Sequence, residues 1–181
     1  ALTWALYWVY SLPTVKDKLR FELSSLGENA SLSDIAKLPY LSAVCSETLR
    51  IYPVAATTFP RILKKPFDLI DYHFKPGTVL SPCIYLIHQR EDLYPEPKTF
   101  KPERFIQRQY SPYEYFPFGG GNRRCIGMSL AMLEMKLILA AIVSRFELAL
   151  TTSRPLLPVR RGLTLAPPAN FKLKVKAKFN D

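Results

Sequence analysis

The chain has 181 residues, of which 48% are hydrophobic and 22% charged, enough apolar material to bury a core and too much for a disordered segment. Its three cysteines, Cys45, Cys83 and Cys125, are too few and too widely spaced for a disulfide framework or a CxxC zinc site, and the apolar start falls far short of the roughly 20 residues of a membrane span. The formal net charge of +10 admits an acidic partner.

Residues 1–12 carry Trp4 and Trp8 at helical spacing and read as the end of an amphipathic helix stopped by Pro13. The chain opens without Met and in mid-pattern, so we expect an upstream part, and the start lacks the basic flank of a signal peptide. PTVKDKLRFELSSLG predicts a second helix with Pro13 near its first position and Gly27 as its terminator. A polar linker, ENASLSDIAKL, leads to PYLSAVCSETLRIY, a helix with Leu41, Val44, Cys45, Thr48 and Leu49 on one side that ends before Pro53. From Pro53 to Leu86 the β-branched residues and the turn KPGT predict short strands and hairpins. Prolines at 95, 97, 102, 112 and 117 make residues 87–117 a long meander, and loops of that length are usually functional.

IGMSLAMLEMKLILAAIVSRF is apolar nearly all round and predicts a buried helix, with Met128, Met132 and Met135 filling core. No acidic residue lies between Leu148 and Asn180, while KLKVKAKF alternates four lysines with Leu173, Val175, Ala177 and Phe179. That pattern predicts an edge strand protected by lysine rather than a grip on nucleic acid. His73 and His88 are expected to be ordinary surface or turn histidines, and no internal repeat or low-complexity segment is present.

Between meander and long helix lies FPFGGGNRRCIGMSL. Phosphate-binding loops come first to mind, but a P-loop ends in Gly-Lys-Ser/Thr and this one ends in Arg-Cys. A dinucleotide fingerprint needs a third glycine where Arg124 stands. What remains, Phe118-x-x-Gly121-x-Arg123-x-Cys125-x-Gly127, brings backbone amides and a positive helix end towards one sulfur, which favours a thiolate. A single sulfur with no second Cys or His nearby suits haem iron better than zinc or an iron–sulfur cluster. The plain structural alternative is a small buried cysteine at a helix start.

At these residues the chain resembles the haem-binding signature of the cytochrome P450 family, the haem-thiolate monooxygenases. The resemblance implies haem b as cofactor, with Cys125 as the proximal iron ligand, Phe118 packed near the sulfur, and Gly121 and Gly127 permitting the tight backbone. It implies that Arg123 grips one haem propionate and that Arg61, in FPRILK, is a second propionate partner. Glu47 and Arg50 of SETLR share a helix face, where an isolated pair is worth only about 0.2–0.5 kcal/mol. By the resemblance they join Arg104 of FKPERF in a buried ion-pair network that is structural rather than catalytic. Ala55, Ala56 and Thr57 of PVAATTF and Leu163 of RGLTLAPP are implied to line the substrate space, a plain packed strand being the alternative at each.

The same resemblance implies a fold mainly α with small β-sheets, residues 1–181 forming one incomplete domain at the C-terminal half of the family fold. It implies a monooxygenase that inserts one oxygen atom of O2 into a small apolar substrate. Electrons come from a separate acidic donor of ferredoxin, flavodoxin or reductase type, because the chain has no flavin or nicotinamide motif. The family's distal helix carries an acid and a threonine; ALTWALYW resembles the end of that helix, beyond the pair, so the chain alone is expected to be inactive. Trp4, Trp8 and the helix after Gly127 are then expected to expose apolar faces. Two rivals stay open, a haem-binding fragment without turnover and a basic interaction module that binds nucleic acid. We expect a reducing setting, cytoplasmic or membrane-associated.

Overall fold

The computed structural model describes residues 1–27 and 30–179; Glu28 and Asn29 of the expected linker lie outside the described residues. Helix α1 (Leu2–Ser11) ends at Leu12, and Pro13 opens α2 (Pro13–Ser24), since proline's fixed φ and missing N–H suit a first helical position. Gly27 is not the terminator: α2 closes at Ser25, whose N–H turns back to the carbonyls of Glu22 and Leu23. The expected linker contains a further helix, α3 (Leu32–Lys37), started by a capping box in which the Ser31 hydroxyl accepts from the Asp34 N–H and the Asp34 carboxylate accepts from the Ser31 N–H.

Helix α4 (Pro39–Ile51) has no side-chain cap of its own. The Glu22 carboxylate of α2 takes that role, accepting from the N–H groups of Tyr40 at 2.6 Å and Leu41 at 2.8 Å. Strands β1 (Arg61–Ile62), β2 (Phe67–Leu69), β3 (Tyr72–Phe74) and β4 (Val79–Leu80) form two antiparallel pairs, β1 with β4 and β2 with β3. The KPGT turn sits between β3 and β4, where Gly77 adopts φ +87°, a value that suits a residue without Cβ. The expected strand pattern stops short of Leu86, because Ile84 and His88, four residues apart, bury together in α5 (Ile84–His88).

Within the meander lies the short α6 (Arg104–Gln107), followed by a 3₁₀ turn at Gly121–Arg123 and the long α7 (Met128–Arg145). The chain closes with β5 (Phe146–Leu150), β6 (Val159–Arg161), β7 (Thr164–Ala166) and β8 (Leu173–Lys178), β5 pairing antiparallel with β8 and β6 with β7. The described residues are thus mainly α-helical with small two-stranded sheets. β8 is an edge strand, as its lysines indicate, but only Leu173 of its apolar face is half-buried. Phe179 instead offers its ring to the Arg20 guanidinium at 5.0 Å.

The core lies where α1, α2, α4 and α7 meet and contains Ala5, Val9, Leu19, Leu41, Val44, Leu139 and Val143. Burying one of its Val or Leu side chains contributes about 1.5–3 kcal/mol relative to exposure. Two expectations need correction. Trp4 is buried, and Trp8 stacks on Phe100 at 5.0 Å and 11° between planes, so neither presents an open apolar face. Helix α7 is not buried all round: Met135, Leu139 and Val143 repeat every four residues on the core side, while Leu130, Leu133 and Ile138 are exposed. An apolar helix buries only the stripe that another element covers.

Candidate functional site

Two side chains of α4 begin the site. Glu47 and Arg50 lie one helical turn apart and form a two-pronged pair, Nε to Oε2 at 2.7 Å and Nη2 to Oε1 at 2.8 Å. Both are fully buried. Arg104, entering from α6, donates from Nε to Glu47 Oε1 at 3.2 Å, and the same oxygen accepts the Lys101 N–H at 2.9 Å. One carboxylate between two guanidiniums leaves surplus positive charge, and the meander's carbonyls receive it. Arg50 donates to the carbonyls of His88 at 2.7 Å and Pro97 at 2.8 Å, and Arg104 to that of Pro95 at 3.2 Å. The buried ring of Tyr94 lies 5.1 Å from the Arg50 guanidinium and 6.0 Å from that of Arg104. The structure therefore brings Arg104, 57 positions from Glu47 in sequence, to the Glu47–Arg50 pair, and together they staple the proline-rich meander to α4.

His88 is not an ordinary surface or turn histidine. It is fully buried, and its Nε2 accepts the Phe116 N–H at 3.1 Å. Burial, reinforced by the nearby Arg50 charge, pushes its pKa from the ordinary 6.5 down to about 3, so the native imidazole is neutral. The unfolded chain takes up that proton first as pH falls. Its share of stability is complete above about pH 6.5 and is lost as pH drops towards about 3. His88→Gln is expected to flatten the pH dependence of the urea midpoint between about pH 6.5 and 4.5, above the range where most carboxylates titrate; an unchanged slope there would place the proton uptake elsewhere. His73 does sit at the surface, its ring beside Asp68 Oδ1 at 2.5 Å.

The glycine loop follows Phe116. Gly119 and Gly121 adopt φ +72° and +60°, left-handed values that fold the chain back so that the Cys125 N–H reaches the Phe118 carbonyl at 2.9 Å. Cys125 is exposed, two residues before Gly127, which caps α7. A Cβ added at Gly127 would stand 3.8 Å from the Cys125 sulfur, so the glycine leaves that flank of the thiol open. The half-buried Phe118 packs against the core. Arg123 and Arg124 are exposed, and neither guanidinium has a hydrogen bond or ion pair among the described residues.

Arg61 is exposed at the start of β1, its Nη1 donating to the carbonyls of Phe59 and Pro60, each at 3.1 Å. Ala55 and Ala56 are half-buried and Thr57 exposed. Ala55 forms an antiparallel bridge with Thr164, and the Leu165 N–H donates to the Val54 carbonyl at 2.7 Å, so the two segments expected to line substrate do meet. Leu163 stands exposed beside Gly162 at the tip of the β6–β7 turn. Sequence reasoning missed His88 and Tyr94, single residues on a short helix and a loop where no periodic pattern signals burial.

The family model described as Cytochrome P450 matches residues 1–175. The chain belongs to the cytochrome P450 family. It is 37% identical over 148 residues to a putative cytochrome P450 135B1 of Mycobacterium tuberculosis, covering 82% of this chain and 31% of that protein. It is 36% identical over 172 residues to cytochrome P450 3A29 of Sus scrofa, covering 91% and 34%. Among solved structures, that of retinoic acid-bound cyanobacterial CYP120A1 superposes with a TM-score of 0.89 at 29% identity, covering 98% of this chain and 42% of the other. The crystal structure of CYP102L1 gives a TM-score of 0.85 at 31% identity. The chain thus spans about one third of the length of these curated relatives.

Membership in the cytochrome P450 family implies haem b as cofactor. The residues present fit that group. A macrocycle supplies its own equatorial nitrogens and needs one protein donor, and the described residues hold no cluster of three His, Cys, Asp or Glu suited to a free metal ion. Cys125 offers one exposed sulfur with an open flank, and the fully exposed Ile126 and largely exposed Leu130 put apolar surface on the same stretch, as a flat apolar ring requires.

Proposed function

We propose that this chain supplies the thiolate side of a haem monooxygenase site, with Cys125 as the proximal ligand, Phe118, Gly121 and Gly127 shaping the loop around it, and Arg123 and Arg61 holding the propionates. The observation that carries the reading is the state of the three cysteines. Cys45 is buried and its thiol is pushed up to about 12, while the half-buried Cys83 donates to the Ala56 carbonyl at 3.6 Å. Of the three, Cys125 alone is exposed, and it stands two residues before the Gly127 cap of α7.

When bound, haem b with a thiolate ligand supplies the oxygen activation that inserts one atom of O2 into an apolar substrate. The chain's own residues position and exclude. The Cys125 N–H bond to Phe118 fixes the ligand's backbone, Gly127 leaves room at the sulfur, and the Ala55–Thr164 bridge brings the small Ala55, Ala56 and Thr57 to the segment that carries Leu163, a rim with room for an apolar substrate. An acidic electron donor is part of the same proposal, since the exposed Arg124, which the propionates do not need, stands next to Cys125. Reduction by such a donor is expected to slow as ionic strength rises and to slow further with Arg124→Glu; salt-independent rates would remove the steering role. Cytoplasmic or membrane-associated placement belongs to this proposal as well; no helix among the described residues is long and apolar enough to cross a membrane.

Helix α1 carries no acidic residue, and its Thr3 lies in the first turn. With no acid there to relay protons, residues 1–181 supplied with haem, an electron donor and apolar substrates are expected to bind haem and pass electrons on as peroxide, without coupled product. Coupled oxygenation by the 181 residues alone would overturn the expected inactivity. Failure to bind haem would favour a basic interaction module instead.

A further inference from the structure

We infer that His88 is a positioning residue that ties the start of the Cys125 loop to the buried Glu47–Arg50 pair. The inference rests on the reading of Cys125 as the haem ligand and adds a residue that the loop motif does not contain. One residue makes both connections: the His88 carbonyl accepts Arg50 Nη1 at 2.7 Å, and its Nε2 accepts the Phe116 N–H at 3.1 Å. The ring is held on several sides. It stacks on Tyr115 at 5.4 Å and meets the edges of Phe116 at 5.5 Å and Tyr94 at 6.2 Å. Beside it, the Tyr115 hydroxyl donates to the Ser46 carbonyl at 3.0 Å, a second tie from the same dipeptide to α4.

From Phe116 the constraint passes along the loop, through the Gly119 N–H to the Phe116 carbonyl at 2.9 Å and the Cys125 N–H to the Phe118 carbonyl at 2.9 Å. A cost of this arrangement identifies its purpose. With Nε2 accepting, Nδ1 carries the proton, and that buried N–H has no hydrogen-bond partner among the described residues. A phenylalanine of similar shape would avoid the unpaired donor, but it would leave the Phe116 N–H unpaired instead. What histidine adds is the acceptor at Nε2, placed where the loop leaves the aromatic cluster.

Residue-resolved amide hydrogen exchange on the haem-free 181-residue chain tests this. His88→Leu is expected to speed exchange at Phe116, Gly119 and Cys125 about three- to tenfold, the effect of losing one hydrogen bond, while α4 amides such as that of Leu49 change less than twofold. His88→Gln, whose amide oxygen reaches as far as Nε2, restores protection; His88→Asn, one bond shorter, does not. If His88→Leu fails to fold, the Gln and Asn pair makes the same comparison. Unchanged loop exchange, equal acceleration in α4 and the loop, or no difference between Gln and Asn would each overturn the inference. Because these rates are read without haem, they leave the Cys125 assignment untouched. Loss of the thiolate-type spectrum in the haem-loaded wild type would strike that assignment alone.

Discussion

Replacing Arg50 with alanine is expected to destabilise the chain by about 3–5 kcal/mol, a large part of the roughly 5–15 kcal/mol that holds a typical domain together. The cause is the charge left behind. Without Arg50, the fully buried Glu47 carboxylate keeps the Lys101 N–H and Arg104 Nε at 3.2 Å, and the carbonyls of His88 and Pro97 lose their donor. Glu47→Ala is expected to cost a similar amount, since it leaves two buried guanidiniums facing each other with no carboxylate between them. The double change removes both members of the closest pair and is expected to cost well under the sum of the single changes. Urea unfolding of the four variants in the cycle, wild type included, measures this directly. Losses of about 1 kcal/mol or less that add would mean independent residues and no unit.

This network also shows how far the sequence could be read. Glu47 and Arg50 are legible together because three residues make one helical turn, and the buried face of α4 follows from its apolar spacing. Arg104 lies 57 positions from Glu47, and no local pattern links them; the family resemblance alone brought it in. The Gly119–Gly127 loop was legible for the same reason that it is chemically specific, since glycine and cysteine have few substitutes there. Helix α3 escaped notice although its Ser31-x-x-Asp34 signal was present, because six residues give too short a pattern to outweigh a polar composition. The burial of His88 left no mark at all. It depends on Tyr94, Tyr115 and Phe116 arriving from the meander, and such contacts are set by tertiary packing alone. Helix α7 misled in the opposite sense, because apolar residues on every side state what a helix can bury and not what faces it.

Cys125→Ser is expected to abolish thiolate ligation altogether. A serine hydroxyl has nearly the shape of a thiol but stays protonated at neutral pH and is a hard, weak ligand for haem iron, so the loop would keep its fold and lose its donor. The other two cysteines are poor replacements: Cys45 is buried with its thiol pushed up to about 12, and the half-buried Cys83 donates to the Ala56 carbonyl. Cys83→Ser is therefore the control. The deciding measurement is the reduced, CO-bound absorption spectrum of the haem-loaded protein, recorded side by side for wild type, Cys83→Ser and Cys125→Ser. The account predicts a Soret band in the thiolate position for the first two and its complete loss in the third; a thiolate band that survives Cys125→Ser would contradict it.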